Sequence, residues 1–271
     1  MLTQFMLKNV LSFKEETVFD MRTINAYKEH PENTADSGYG DKILRVATLY
    51  GANASGKANF TLAMYIFRAI VAESLNNAND GKLTAIRKFY LPSIIDDNKS
   101  KLLAFLAAID IGIIDISYRE HNGDTVFFTV HKGRDNKEYE MGLFTESSGT
   151  LKCIVLFIHA WFCVSFDGIL VIDELNTKLH PLLLKFIVDF FYDSASKAQL
   201  IYTTHDTTLM DKKFFRRDQI WFVEKDEFGE SRLFALSDYK VRSDASFEKD
   251  YLAGVYGGIP MLREFSMKED K

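Results

Sequence analysis

The run Gly51-Ala52-Asn53-Ala54-Ser55-Gly56-Lys57 fits the phosphate-binding pattern G-x-x-x-x-G-K. Such a loop works only where a strand runs into the N-terminus of a helix. Both flanks comply: residues 44–50 read as a mostly apolar strand, and residues 59–75 carry Phe60, Met64, Phe67, Ile70 and Val71 at helical spacing. In this arrangement the backbone of Gly51, Asn53, Ala54, Ser55 and Gly56 and the first helical residues, Lys57, Ala58 and Asn59, cradle phosphates, and Lys57 neutralises β/γ charge. The eighth position normally supplies a hydroxyl to Mg²⁺, and Ala58 has none. A Gly-rich turn that binds nothing is the alternative, but Lys57 at a helix start opposes the macrodipole and needs an anion beside it.

A chain of 271 residues suits one large α/β domain with a subordinate insertion, or two small domains. With 38 Asp and Glu against 33 Lys and Arg, no global attraction to nucleic acid is implied. Lys212, Lys213, Arg216 and Arg217 form a local basic group that reads more readily as a solvated helix end than as a DNA contact. Cys153 and Cys163 sit in an apolar segment, as buried thiols in a reducing compartment would. The N-terminal region lacks a signal-peptide layout, and the apolar stretch 153–164 contains His159 and is too short to span a bilayer. A soluble cytoplasmic protein without a membrane partner is expected.

Residues 1–20 alternate as two strands around a turn near Ser12, and 24–42 read as a loop. Turn chemistry at 76–81 ends the first helix, 99–109 suggest a short helix, and 115–120, 124–131 and 138–143 form an antiparallel meander. A helix from near Gly149, the strand 169–172, a helix opened by Pro181 and the strand 200–204 follow the grammar of a parallel sheet. The predicted class is α/β, with a largely parallel central sheet, an antiparallel β subdomain and flanking helices.

Ile169-Leu170-Val171-Ile172 ends in Asp173-Glu174. An apolar run of this kind reads as a central parallel strand, whose carboxyl end is where ligands bind. Asp173 is expected beside the phosphate loop, holding Mg²⁺ directly or through water, while Glu174 orients and deprotonates the attacking water. An ordinary strand running into an acidic helix cap is the alternative. Thr203-Thr204-His205-Asp206 ends the next strand, so His205 should emerge at the same edge, within reach of a γ-phosphate or that water, unless its role is structural.

Taken together, Gly51 to Lys57, Ser147-Ser148-Gly149-Thr150, the run from Ile172 to Pro181 and Thr203 to Asp206 resemble the ABC-type P-loop NTPases of the RecF/SMC class. Within it the chain is most similar to prokaryotic AAA-type ATP-binding proteins of the abortive-infection group, RloA-like and related to the OLD ATPases. Residues 5–14 and 217–231 resemble that group's first and last strands, so coverage is nearly end to end. The resemblance implies a single ABC-type ATPase domain over 1–271, with a shortened insertion at about 76–140 and ATP and Mg²⁺ as cofactors. It places Ser147, Gly149 and Thr150 in the signature loop, which reaches the γ-phosphate bound to the other subunit of a head-to-tail homodimer. Asn176 to His180 would touch that subunit too. Antiviral defence with a separately encoded nuclease effector is implied, and DNA-touching relatives make nucleic acid a conceivable partner that the charge does not indicate.

Three departures accompany the resemblance. Ala58 removes a metal ligand, only ninety residues separate Lys57 from Ser147, and none of Gln4, Gln199 and Gln219 stands where the Mg²⁺-sensing glutamine should. No nuclease site is evident, since Asp226 and Glu227 read as a solvated turn. Two functions remain: an ATPase that dimerises on ATP and hydrolyses it to drive a switch, with Glu174, His205 and Lys57 catalytic, or a nucleotide-binding dimerisation switch with little turnover. A DNA-binding clamp is a weaker third.

Overall fold

The computed structural model describes residues 1–73, 90–121, 123–242 and 245–260. In chain order the strands and helices are β1 (Gln4–Leu7), β2 (Thr17–Asp20), β3 (Thr34–Asp36), β4 (Lys42–Leu44), β5 (Val46–Tyr50), α1 (Lys57–Glu73) and α2 (Leu91–Ala108). Next come β6 (Ile113–His121), β7 (Asp124–Lys132), β8 (Glu138–Gly142), α3 (Ser148–Ser165), β9 (Ile169–Ile172) and α4 (Pro181–Asp193). The last are β10 (Gln199–Thr203), β11 (Ile220–Lys225), β12 (Ser231–Ala235) and α5 (Phe247–Leu252).

Five strands form the central sheet in the order β12-β11-β5-β10-β9, with β5, β9, β10 and β11 parallel and β12 antiparallel at one edge. Every residue of β5 and β10 is buried. Strand alternation splits their side chains between two cores. Ala47, Leu49 and Ile201 face Phe60 and Met64 of α1 and the β1–β2 hairpin, whereas Val46, Tyr50 and Tyr202 face Leu184, Ile187 and Phe191 of α4 and Tyr251 of α5. A third cluster joins α2, β6 and β7 to α3. The antiparallel β6-β7-β8 sheet is thereby fixed to the helix whose N-terminus carries Ser147 to Thr150.

The α/β class and the parallel grammar are present as expected, with four differences. The segment read as a loop contains the short β3–β4 hairpin, because strands of three residues carry too little alternation to be seen. Helix α2 begins at Leu91, with Pro92 in its first turn and a kink at Asn98, and buries Ile94 and Ile95 before the stretch that the spacing predicted. Strand β9 is the sheet edge and is only half-buried, so its apolar character does not mark a central strand. Helix α3 is long and apolar enough to cross a membrane by length and composition, unlike the shorter stretch read from the sequence. Its circumference is apolar because it packs on two core clusters at once. The expected turn at 76–81 lies outside the described residues.

Candidate functional site

Parallel register brings the chemistry to one rim. Tyr202 is level with Thr48 on one side and Ile172 on the other, and Phe222 is level with Tyr50. Gly51, Asp173, Thr203 and Val223 therefore all follow at the carboxyl edge, where open α/β sheets bind ligands. Asp173 follows the edge strand β9, and β10 lies between that strand and β5. The intervening strand supplies the connection. Thr203 Oγ1 donates to Asp173 Oδ1 at 2.6 Å and accepts from the Glu174 amide at 2.8 Å, so one buried hydroxyl fixes both acids.

The loop after β5 is held from three sides. Gly56 has φ +110°, and a Cβ there would collide with Ser231 Oγ and lie 2.9 Å from Ser231 Cβ, so only glycine fits. Ser231 Oγ, on β12, donates to the Ser55 carbonyl and lies within hydrogen-bond distance of Ser12 Oγ, both at 2.7 Å. Ser12 Oγ also accepts from Asn59 Nδ2 at 2.7 Å. The turn between β1 and β2 thus braces the start of α1. Asn53, Ala54 and Ala58 are exposed, and Ala54 adopts a left-handed φ of 61° that costs a non-glycine residue energy.

Lys57 is 6% exposed and folds back over the loop, its Nζ donating to the carbonyls of Gly51 at 2.8 Å and Ala52 at 2.9 Å. Burial lowers its proton affinity, while the charges of Asp173 and Glu174 oppose that shift. His205 is pushed below the usual histidine range by burial and then by Lys57; Glu174, Asp173 and a hydrogen bond to the Gly51 main chain pull the other way. Lys57, Asp173, Glu174 and His205 therefore share one electrostatic neighbourhood around Gly51. At neutral pH His205 is an uncharged imidazole, able to donate or accept a hydrogen bond.

Ser147 caps α3: its Oγ accepts from the Thr150 amide at 3.1 Å and lies 2.9 Å from Thr150 Oγ1. A Cβ on Gly149 would approach the Lys178 carbonyl to 3.3 Å, so this turn touches the loop that follows Glu174. No hydrogen bond among the described residues joins Ser147 to Thr150 with the phosphate loop. Sequence reading missed Thr203 as a brace for the acids, the Ser12–Ser231 pair and Lys152 (below). Their partners lie 22 to 219 positions away, where no local pattern reports them.

The arrangement fits a polyphosphate. The loop opens the 17-residue helix α1, whose first amides lack helical acceptors, and the Ser55 hydroxyl inside the loop is buried without a partner. For Mg²⁺ the fit is partial. No group of three or more His, Cys, Asp and Glu that could hold a metal occurs among the described residues. Mg²⁺ typically keeps several waters and binds through one or two carboxylates plus substrate phosphates. Asp173 can serve in that way, and the Ala58 methyl cannot help.

Gln199 and Gln219 are buried and bond the carbonyls of Leu44 and Val46, at the sheet's opposite edge. Of the basic group, Arg216 is a buried structural residue paired with Asp218 at 2.8 Å. Asp226 Oδ1 accepts from the amides of Phe228 and Glu230, the local bonding of a turn.

Comparisons with known proteins add a family. The chain resembles the SMC head domain from Thermotoga maritima at 13% identity and TM-score 0.46, over 86% of this chain and 98% of that one. It also resembles an SMC head solved bound to the C-winged helix domain of ScpA, at 14% identity and TM-score 0.39, over 64% of this chain and 49% of that one. The chain thus spans about half the length of this second relative. No curated protein matches it. A protein-family model described as "AAA domain, putative AbiEii toxin, Type IV TA system" matches residues 73–211, a span that holds Ser147 to Thr150, Asp173, Glu174 and His205 and begins after the phosphate loop. The chain belongs to this AAA domain family.

Proposed function

We propose that the whole chain acts as one ABC/SMC-like ATPase unit that dimerises on ATP and hydrolyses it to drive a conformational switch. The observation that carries this reading is the parallel register that brings the phosphate loop and the strand ends before Asp173, Glu174 and His205 to one carboxyl rim of the sheet. Gly51 to Asn59 bind the phosphates through main-chain N–H groups, and Lys57 turns from the loop carbonyls to the β/γ oxygens. Asp173, with water, would hold Mg²⁺, which when bound would supply charge neutralisation. Glu174 takes a proton from water as its oxygen attacks the γ-phosphorus; the bond to the β–γ bridging oxygen breaks, leaving ADP and phosphate. His205 donates to a γ-phosphate oxygen or holds the water. Ser147, Gly149 and Thr150 offer amides at the N-terminus of α3 to the γ-phosphate held by a second copy. The reading extends to antiviral, abortive-infection defence with a separately encoded effector, as the resemblance implies; the family description names a toxin of a type IV TA system.

A second reading, a nucleotide-binding switch with little turnover, is favoured by one observation, the missing hydroxyl at Ala58. Phosphate release and light scattering on one sample separate the two. Under the first reading Glu174→Gln abolishes release and accumulates an ATP-dependent dimer, and Ala58→Ser raises Mg²⁺-dependent turnover. Wild-type protein that binds ATP and dimerises without releasing phosphate supports the second. Protein that does neither contradicts both.

A further inference from the structure

Lys152 stands one turn into α3, four residues after Ser148. Its Nζ donates to three carbonyls of the loop that follows β9: Thr177 at 2.6 Å, Leu175 at 2.9 Å and Glu174 at 3.3 Å. An ammonium has three donors, and here one short loop takes all of them. Lysine ordinarily keeps its head group in water. This one is partly withdrawn from solvent, and burial lowers its proton affinity against the pull of Cys153 and Glu174.

The loop it grips is strained. Glu174 and Lys178 have left-handed φ values of 48° and 62°, conformations that non-glycine residues hold only when their surroundings over-determine them. The loop's own bonds, from the Thr177 amide to the Glu174 carbonyl and from Thr177 Oγ1 to Glu174 Oε2, leave the Leu175 and Thr177 carbonyls for Lys152. Asn176 reaches the amide of His205 at 3.4 Å.

We infer that Lys152 is a positioning residue: it holds residues 174–177, and with them the Glu174 carboxylate that accepts from Thr177 Oγ1, in one conformation, and so ties the placement of that carboxylate to the stance of α3. The inference rests on the ATPase reading for its kinetic consequence but not for its structural one. A ligand engaged at Ser147 to Thr150 then acts on Glu174 through a single helical turn and one ammonium group.

The test compares full-length wild type, Lys152→Met and Lys152→Arg by amide hydrogen exchange, ATP affinity and phosphate release. The methionine variant should lose protection at the amides of Leu175 and Thr177. Its kcat should fall on the order of tenfold to a hundredfold, as misplaced catalytic groups cost, with ATP affinity within about twofold. Arginine, which keeps charge and donors, should restore most of both. If the methionine variant does not fold, Lys152→Gln serves in its place. Unchanged exchange and kcat would overturn the inference while leaving the ATPase reading intact. A wild type that releases no phosphate ends the hydrolytic reading, and the exchange result alone then decides the role of Lys152.

Discussion

At the scale of single residues, the site depends on groups that have no freedom to be anything else. Gly56 is the clearest case, because both its φ of +110° and the nearness of Ser231 forbid a side chain. Gly56→Ala should therefore abolish ATP binding by calorimetry, whereas Ser231→Ala, which removes only the bonds to Ser55 and Ser12, should weaken it by about tenfold or less. His205 gives a pH prediction. Its folded pKa lies below the ordinary histidine value of 6.5, so as pH falls from 6.5 the unfolded chain takes up the proton first and the native state loses stability. Histidine at 205 should make the melting midpoint drop more between pH 7 and pH 5.5 than His205→Gln does; equal drops would remove His205 from the shared electrostatic neighbourhood described above. The motif residues were legible in the sequence because loop, acids and histidine each close a strand. Thr203, Ser12 and Lys152 were not, because their roles come from long-range contacts rather than from spacing.

Among the elements, apolar periodicity revealed most of the longer strands and helices, but neither the short β3–β4 hairpin nor the order of the strands. That β10 lies between β5 and β9 is a pairing of distant segments, and nothing in the composition of β9 separates an edge strand from a central one. Charge was equally ambiguous at this scale. Arg216, read as part of a solvated basic end, instead ties the 24–29 segment to the start of β11: it pairs with Asp218 and donates to the carbonyls of Tyr27 and Glu29 at 3.0 Å each. Asp218 in turn accepts from the Ile24 amide at 2.8 Å. Removing one partner of a buried pair strands the other, so Arg216→Met should cost about 3–5 kcal/mol in denaturant unfolding. Arg216→Met with Asp218→Asn should recover part of that loss. A surface arginine would cost a few tenths of a kcal/mol, and that result would reassign the residue to solvent.

For the whole molecule, two helix N-termini suited to anions are joined by no hydrogen bond among the described residues. The phosphate loop is surrounded by Ser12, Ser231, His205 and the two acids, whereas the turn from Ser147 to Thr150 contacts the loop after Glu174. Under the proposed function another copy brings the second terminus to the triphosphate held at Lys57, in a head-to-tail pair with two composite sites. Complementation tests this directly. Lys57→Met disables the phosphate loop and spares the turn; Ser148→Arg, at an exposed position, blocks the turn and spares the loop. Each variant alone should release no phosphate. Mixed in equal amounts they should recover about a quarter of the wild-type rate, because half of the dimers are mixed and each of those has one of its two sites complete. A mixture as inactive as its components would mean that hydrolysis, if the wild type shows it, takes place within a single copy and that the turn at Ser147 serves only to cap α3.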